Sequence, residues 1–411
     1  MPKKYHIPTR PAPPRLYPVG RYATVEFRED CAGSCRECVK KKCVYNIFAD
    51  NYLHMSTMDE PEYLYTCNSC FRCVQECTKG IFSRVINPEY RTLGDTYWTP
   101  SIINRTWYQA HTGAIPVSGA GYRGPFSGEG FDAMWTDMSE IVRPTRDGIH
   151  GREYINTMIE LTRRPQGLRF HDDGSLAVAV PVIREIPYPM MFQLHDDYGI
   201  PDECLRLSMA LAARATGQIF MIDPALITGE LKDMPDCLAP RLTVNTLDRH
   251  RDLIAACPMV EIAYGEGLAG AIAALRTNHP TLVIAVRAPL DDRSPMIATA
   301  MADLGVDVVH FAGSHHGQEV SVDEPRYLKD AIRDVHLALV DHGARLKVNL
   351  LFSGGIAMAE HVVKAIICGA DGVVIDAPLL LALECRLCGR CLSGLSCSGK
   401  LDQVDPDFGR T

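Results

Sequence analysis

The chain has 411 residues, 46% of them hydrophobic, and a formal net charge of −8. That size and apolar content suit a large buried core with a smaller module beside it, and the acidic balance argues against a general nucleic-acid or membrane-surface binder. No apolar run reaches the ~18–20 residues that span a bilayer, and the opening MPKKYHIPTRPAPPRLYP lacks the apolar core of a signal peptide, so a cytoplasmic chain with no membrane span is expected.

Residues 1–30 are rich in Pro and basic residues and read as an extended arm, either wrapped on the next module or a bland tail. Residues 31–85 hold two cysteine runs. CAGSCRECVKKKC supplies Cys31, Cys35, Cys38 and Cys43, and CNSCFRCVQEC supplies Cys67, Cys70, Cys73 and Cys77. The second run has the C-x2-C-x2-C-x3-C spacing of bacterial ferredoxins, and the first is a looser version of it. In two-cluster ferredoxins the fourth cysteine of each run ligates the other cluster. Here that rule joins Cys77 to Cys31, Cys35 and Cys38, and Cys43 to Cys67, Cys70 and Cys73. Two zinc knuckles are the alternative, although zinc sites usually show separated C-x2-C pairs, often with His. Thr78 stands where ferredoxins normally carry Pro; this bears on the turn after Cys77 and removes no ligand.

Residues 86–185 read as a connector. The Gly-rich stretch 118–130 lacks a preceding apolar strand and a following helix, which favours a loop over a phosphate cradle. Within 135–150, Arg143, Arg146 and His150 can meet an acidic substrate or a cluster, or belong to a solvated loop. Residues 177–182 read as a strand in a hairpin that closes the bottom of the next domain.

From about 186 to 380, short apolar runs alternate with helical patterns. Strands are expected at 188–193, 219–223, 242–246, 259–263, 281–287, 306–311, 346–352 and 372–376. Helices between them include 202–216, 268–277, 295–304, 324–341 and 357–368. Eight such units in series indicate an α/β fold, a (β/α)8 TIM barrel, carrying an N-terminal two-[4Fe–4S] ferredoxin-like module and a C-terminal cluster-binding segment.

Active-site groups of such barrels lie at the C-terminal strand ends. Those ends carry Gly265 after the fourth strand, Arg287 on the fifth and His315 and His316 after the sixth. Ser353, Gly354 and Gly355 follow the seventh, and Asp376 and Ala377 the eighth. The last two sets resemble phosphate-binding loops, where glycines let the backbone approach an anion. Arg287 is either a cation beside a reduced flavin or a buried partner of a core carboxylate. His315 and His316 are proton donors, carboxylate ligands or a structural loop pair. Segment 381–411 adds Cys385, Cys388, Cys391 and Cys397 as a third cluster set. Cys204, Cys237, Cys257 and Cys368 are scattered and read as buried apolar thiols.

Residues 186–397 resemble the FMN-binding domain of glutamate synthase. The likeness rests on KVNLLFSGGIAMAEHVVKAIICGADGVVIDAPLLLALEC, VVHFAGSHHGQEVS and MVEIAYGEGL. With the N-terminal cysteine runs, the layout is similar to the compact archaeal-type enzymes without a glutaminase domain. The resemblance implies FMN and three [4Fe–4S] clusters, with ferredoxin or other redox subunits as partners, no nucleic acid, and membrane attachment only through a partner. It also implies departures. Arg287 replaces a family lysine beside flavin and substrate, and the family's Gly-rich loop after the second strand is reduced to ITGEL. MFQLHDDYG replaces the first strand's glycine turn, and four C-terminal cysteines replace the three that hold a three-iron cluster. Three readings remain open: a glutamate-synthase-type oxidoreductase, an FMN and iron–sulfur electron-transfer subunit of a larger complex, and a cluster-bearing barrel that has lost FMN.

Overall fold

The computed structural model describes residues 9–16, 19–27, 35–44, 62–64, 70–115, 117–118, 121–122, 128–134, 157–162, 169–177, 183–194 and 203–411. Cys31, Cys67, Arg143, Arg146, His150 and all but the first residue of the strand expected at 177–182 lie outside them.

Three strands, β1 (Tyr22–Glu26), β2 (Glu62–Leu64) and β3 (Phe82–Ile86), form an antiparallel sheet with β1 in the centre. Between β2 and β3 lies the one-turn helix Arg72–Glu76. Glu26 is buried on β1 and pairs with Lys40 from the first cysteine run, which ties that run to the sheet. The turn after Cys77 closes by a Gly80 N–H bond to the Cys77 carbonyl (3.0 Å), with Gly80 in the left-handed region, so it forms without the proline.

The connector contains a helix, Pro100–Thr112, that the sequence reading passed over. Its signals are ordinary: Thr99 accepts the Ile102 N–H, Pro100 opens the first turn, and Gly113 ends it in the left-handed region. The stretch 118–130 includes part of a two-residue hairpin, β4 (Val117–Ser118) with β5 (Gly121–Tyr122). A second hairpin pairs β6 (Ile159–Leu161) with β7 (Arg184–Ile186).

Eight parallel strands then close a barrel: β8 (Met190–Gln193), β9 (Phe220–Ile222), β10 (Leu238–Leu242), β11 (Met259–Ala263), β12 (Val283–Pro289), β13 (Val308–Ala312), β14 (Asn349–Ser353) and β15 (Gly372–Ile375). Closure comes from β15 pairing with β8, Val373 opposite Met190 and Ile375 opposite Phe192. The third strand is displaced from its expected place: it runs Leu238–Leu242 instead of 242–246. Proline is disfavoured inside a sheet, yet Pro240 is held in register opposite Ile222. Beyond it Thr243 and Thr246 form a reciprocal cap that starts a 3-10 stretch, Val244–His250.

Alternation along the strands divides their side chains. Val260, Ile262, Ile284, Val286, Val309, Phe311, Leu350 and Phe352 pack outward against the helices. The helix Leu328–Asp341 answers with Leu328, Ala331, Ile332, Val335 and Leu339, one stripe at three-and-four spacing. Met191, Met221, Ala239, Met259, Val283, Ala285, Val308, Leu351 and Val374 form a separate cluster with Leu161 and Ile186 from the β6–β7 hairpin. That hairpin therefore plugs the barrel's lower end. Each fully buried Met, Val or Leu there contributes about 1.5–3 kcal/mol.

Among the scattered cysteines, burial pushes the Cys237 thiol up to about 11 and Cys257 up to about 12, as expected of inert thiols. Cys204 departs from that expectation: it is exposed, in the first turn of the helix Glu203–Thr216. Cys368 is half-buried against Met134.

Candidate functional site

The inward alternation that is apolar low in the barrel becomes polar at its C-terminal end. One further step along the strands brings Gln193 (β8), Arg241 (β10), Glu261 (β11), Arg287 (β12), His310 (β13) and Ser353 (β14) into the top layer. They form a chain. Arg241 Nε donates to Glu261 Oε2 (2.8 Å), and the other end of its guanidinium donates to Gln193. Glu261 Oε1 lies 2.6 Å from His310 Nδ1, and His310 Nε2 lies 2.8 Å from Ser353 Oγ.

Electrostatics fix the proton positions. Burial alone would raise Glu261, but His310, Arg241 and Arg287 outweigh it and hold the carboxyl well below its usual range. Burial, followed in effect by the two arginines, depresses His310 despite the opposing pull of Glu261. A neutral imidazole beside a carboxylate must donate to it, so Nδ1 carries the proton and Nε2 accepts from Ser353. The layer therefore carries two guanidinium charges against one carboxylate and attracts an anion.

The residues expected at the strand ends divide into groups. Arg287 stands in register with His310, half-exposed, and its charge reaches Glu261, so it belongs to the polar layer. Gly265 lies exposed on the loop after β11, with open space where a Cβ would point. Ser353, Gly354 and Gly355 are buried. Gly354 and Gly355 have positive φ (103° and 61°), and a Cβ on either would overlap backbone of the loop 313–317. Loop-to-loop contact thus demands these glycines in its own right. Tyr97 from the connector donates to the Gly355 carbonyl at 2.6 Å. Asp376 is buried and accepts the Ala377 N–H at 2.5 Å, so that N–H is committed to a side-chain cap. His315 and His316 face the connector: His315 packs on Trp98 (5.3 Å between rings), while His316 stacks on Tyr97 (5.6 Å) and meets Asp95 Oδ2 at 2.9 Å.

Beside them, Cys385, Cys388, Cys391 and Cys397 line one cavity of about 170 Å³, bordered also by Asp95, His315, Arg386 and Arg390. Burial, then the other three cysteines, pushes the Cys385 thiol up to about 12, so that thiol resists ionising without a cation beside it. Leu387 N–H donates to Cys385 Sγ at 3.4 Å. Amides aimed at sulfur and arginines at the rim suit an anionic thiolate cluster.

The N-terminal arm is fastened to this segment. Arg15 reaches the carbonyls of Leu383, Gly399 and Lys400, on both sides of the cysteine loop. In the N-terminal module, Cys43, Cys73 and Cys77 pack on one small cluster of Val39, Ile81 and Phe82, which brings the two runs together.

Residues 243–406, from just beyond β10 through the C-terminal cysteines, match the conserved region of glutamate synthase. The chain is 25% identical to the archaeal-type glutamate synthase [NADPH] of Dehalococcoides mccartyi, over 87% of this chain and 81% of that protein. It is 23% identical to the archaeal glutamate synthase [NADPH] of Archaeoglobus fulgidus, over 93% and 84%. Among solved structures, mandelate oxidase aligns over 62% of this chain and 81% of that one, with 15% identity and a TM-score of 0.38, too slight to bear on function. Among the described residues no helix is long and apolar enough to cross a membrane.

Proposed function

We propose that the chain is an iron–sulfur flavoprotein oxidoreductase of glutamate synthase type, which holds FMN at the barrel mouth and passes electrons between it and [4Fe–4S] clusters. The observation that carries this reading is the polar layer: a net-positive set of strand-end side chains beside a four-cysteine cavity, in a chain related to archaeal-type glutamate synthases. FMN, when bound, supplies an acceptor that exchanges hydride or single electrons with its surroundings. Arg241 and Arg287 fit such a group, because its phosphate and its reduced ring are both anionic. The Ser353–Gly355 loop is the phosphate-side candidate. The Ala377 N–H is already taken by Asp376, so the eighth strand's end supplies less than the seventh.

The chain's own residues do three things on this reading. Arg241 and Arg287 hold negative charge at the mouth. Neutral His310, kept in one tautomer by Glu261, orients the Ser353 hydroxyl. The cysteine sets at both ends of the chain carry electrons in from a ferredoxin or a partner subunit. The acceptor is an imine formed from 2-oxoglutarate and ammonia. Arg287 favours a second reading, an electron-transfer subunit of a larger complex without amino-acid chemistry: a guanidinium holds charge but does not give up a proton as lysine can. Anaerobic purification with iron, sulfide and flavin analysis tests the shared part. The expected content is three four-iron clusters and one noncovalent FMN per chain; zinc in place of iron, or protein with full clusters and no flavin, sinks the corresponding half.

A further inference from the structure

Asp95, His315 and His316 each offer one ligand atom, and those atoms all lie within 4.8 Å of one another. Asp95 precedes the helix Pro100–Thr112, and the two histidines follow β13, so two distant parts of the chain converge. Among the described residues no other set of three or more such groups is drawn this close; the four C-terminal cysteines ring a wider space.

The three groups are held in place by their surroundings. Asp95 Oδ1 accepts the Tyr97 N–H (2.8 Å) and the Trp98 N–H (2.7 Å), which leaves Oδ2 turned to His316 Nε2. Burial would raise the Asp95 carboxyl, but the bonds from His316, Trp98 and Tyr97 outweigh it and keep the group ionised. The His316 ring stacks on Tyr97 with 29° between planes, and His315 lies on Trp98 at 30°. Trp98 Nε1–H also donates to the His315 carbonyl at 3.0 Å, and the Tyr97 hydroxyl anchors the neighbouring glycine loop. Ligands whose backbone and rings are fixed from behind in this way lose little freedom when they close on an ion.

We propose that Asp95, His315 and His316 form a binding site for one divalent transition-metal ion of the zinc class. Two imidazoles with one carboxylate select a borderline metal over calcium or magnesium, which prefer all-oxygen shells. Three protein ligands leave a fourth position to water, the open arrangement of a tetrahedral zinc centre. The ion would replace the His316–Asp95 hydrogen bond and clamp the loop after β13 to the connector, beside the C-terminal cysteine cavity. The donor set is nitrogen and oxygen, so the site stands independently of what the thiolates hold.

The test is zinc titration of the anaerobically purified, cluster-loaded full chain, followed by calorimetry and metal analysis with iron and sulfide counted on the same samples. Wild type is expected to take up one zinc per chain with its iron unchanged. Asp95→Asn, which keeps the Oδ1 acceptor for both backbone amides, and His316→Gln are each expected to weaken that uptake at least tenfold. Because neither variant touches a thiol, zinc captured by cysteines would persist in both. Wild type that takes up no zinc, or variants that bind as wild type does, overturns the proposal and leaves Asp95–His316 as an ion pair. If one variant loses iron, the other variant and the wild-type isotherm still decide.

Discussion

Glu384 accepts the backbone N–H of Arg15 at 2.7 Å with one carboxylate oxygen and the N–H of Leu16 at 2.9 Å with the other. His111 adds a contact of 3.0 Å to the first oxygen. The carboxylate is buried, immediately precedes Cys385, and sits on a residue with φ of 69°, a conformation held by these bonds. Glu384→Ala orphans two amides, at a cost of about 1–3 kcal/mol each if they stay buried. The expected outcome is loss of the C-terminal cluster ahead of the other two, seen as a lower iron content and faster bleaching in air. Full, equally durable iron in the variant would show that the arm does not hold this loop.

Cys43 shares an apolar cluster with Cys73 and Cys77. On the crossed pairing, Cys43→Ser disturbs the cluster whose other ligands are Cys67, Cys70 and Cys73. Paramagnetic resonance should show that cluster lost or converted while the Cys31, Cys35, Cys38 set keeps its signal. Damage confined to the latter set would mean that each run ligates its own cluster.

Arg287 is half-exposed at the end of β12, beside His310. A fixed cation at the flavin's N1–C2=O edge favours the anionic reduced ring. Arg287→Met should lower the flavin potential and slow electron transfer with all clusters loaded, and Arg287→Lys should keep most flavin binding. A redox titration of the three proteins decides: an unchanged potential in Arg287→Met at full FMN occupancy places the side chain away from the ring. Gain of glutamate formation from 2-oxoglutarate in Arg287→Lys would favour the enzyme over the relay.

His310 is buried and neutral, with its pKa below the unfolded value of about 6.5. As pH falls below about 6.5 the unfolded chain binds a proton that the folded chain refuses, so this residue costs stability in acid and nothing above that range. Glu261 has the opposite sense: its depressed pKa contributes stability above about 4.3, lost only as pH falls through the folded value. His310→Gln should lower the melting temperature at pH 7.5, because the Glu261 and Ser353 bonds are impaired. The gap to wild type should narrow at pH 5.5. A gap that is constant or widens with acid would mean that His310 is charged in the folded protein.

The barrel was legible in the sequence because each βα unit declares itself locally. MVEIA lies between a turn and a Gly-rich loop and is the observed β11 to the residue. The polar layer was not legible in the same way. Arg241, Glu261 and His310 are single charged or titratable residues inside apolar runs, and only closure of the barrel sets them side by side. The available clue was parity: each stands two residues after an inward apolar one, Ala239, Met259 and Val308. Reading only the residues past each strand directed attention to His315 and His316 and away from His310. The Asp95 contact had no local signal, because its partners are more than two hundred residues away.

Arg15 and the cysteine loop it straddles also stand far apart in the order of synthesis. Arg15 precedes the whole barrel in the sequence and the Leu383–Lys400 segment follows it, so during synthesis the arm must wait for these partners while the barrel emerges. The two N-terminal cysteine runs are both made before the barrel begins. The C-terminal set acquires its strap only on the finished chain, so a truncated product would carry an unfastened loop or none.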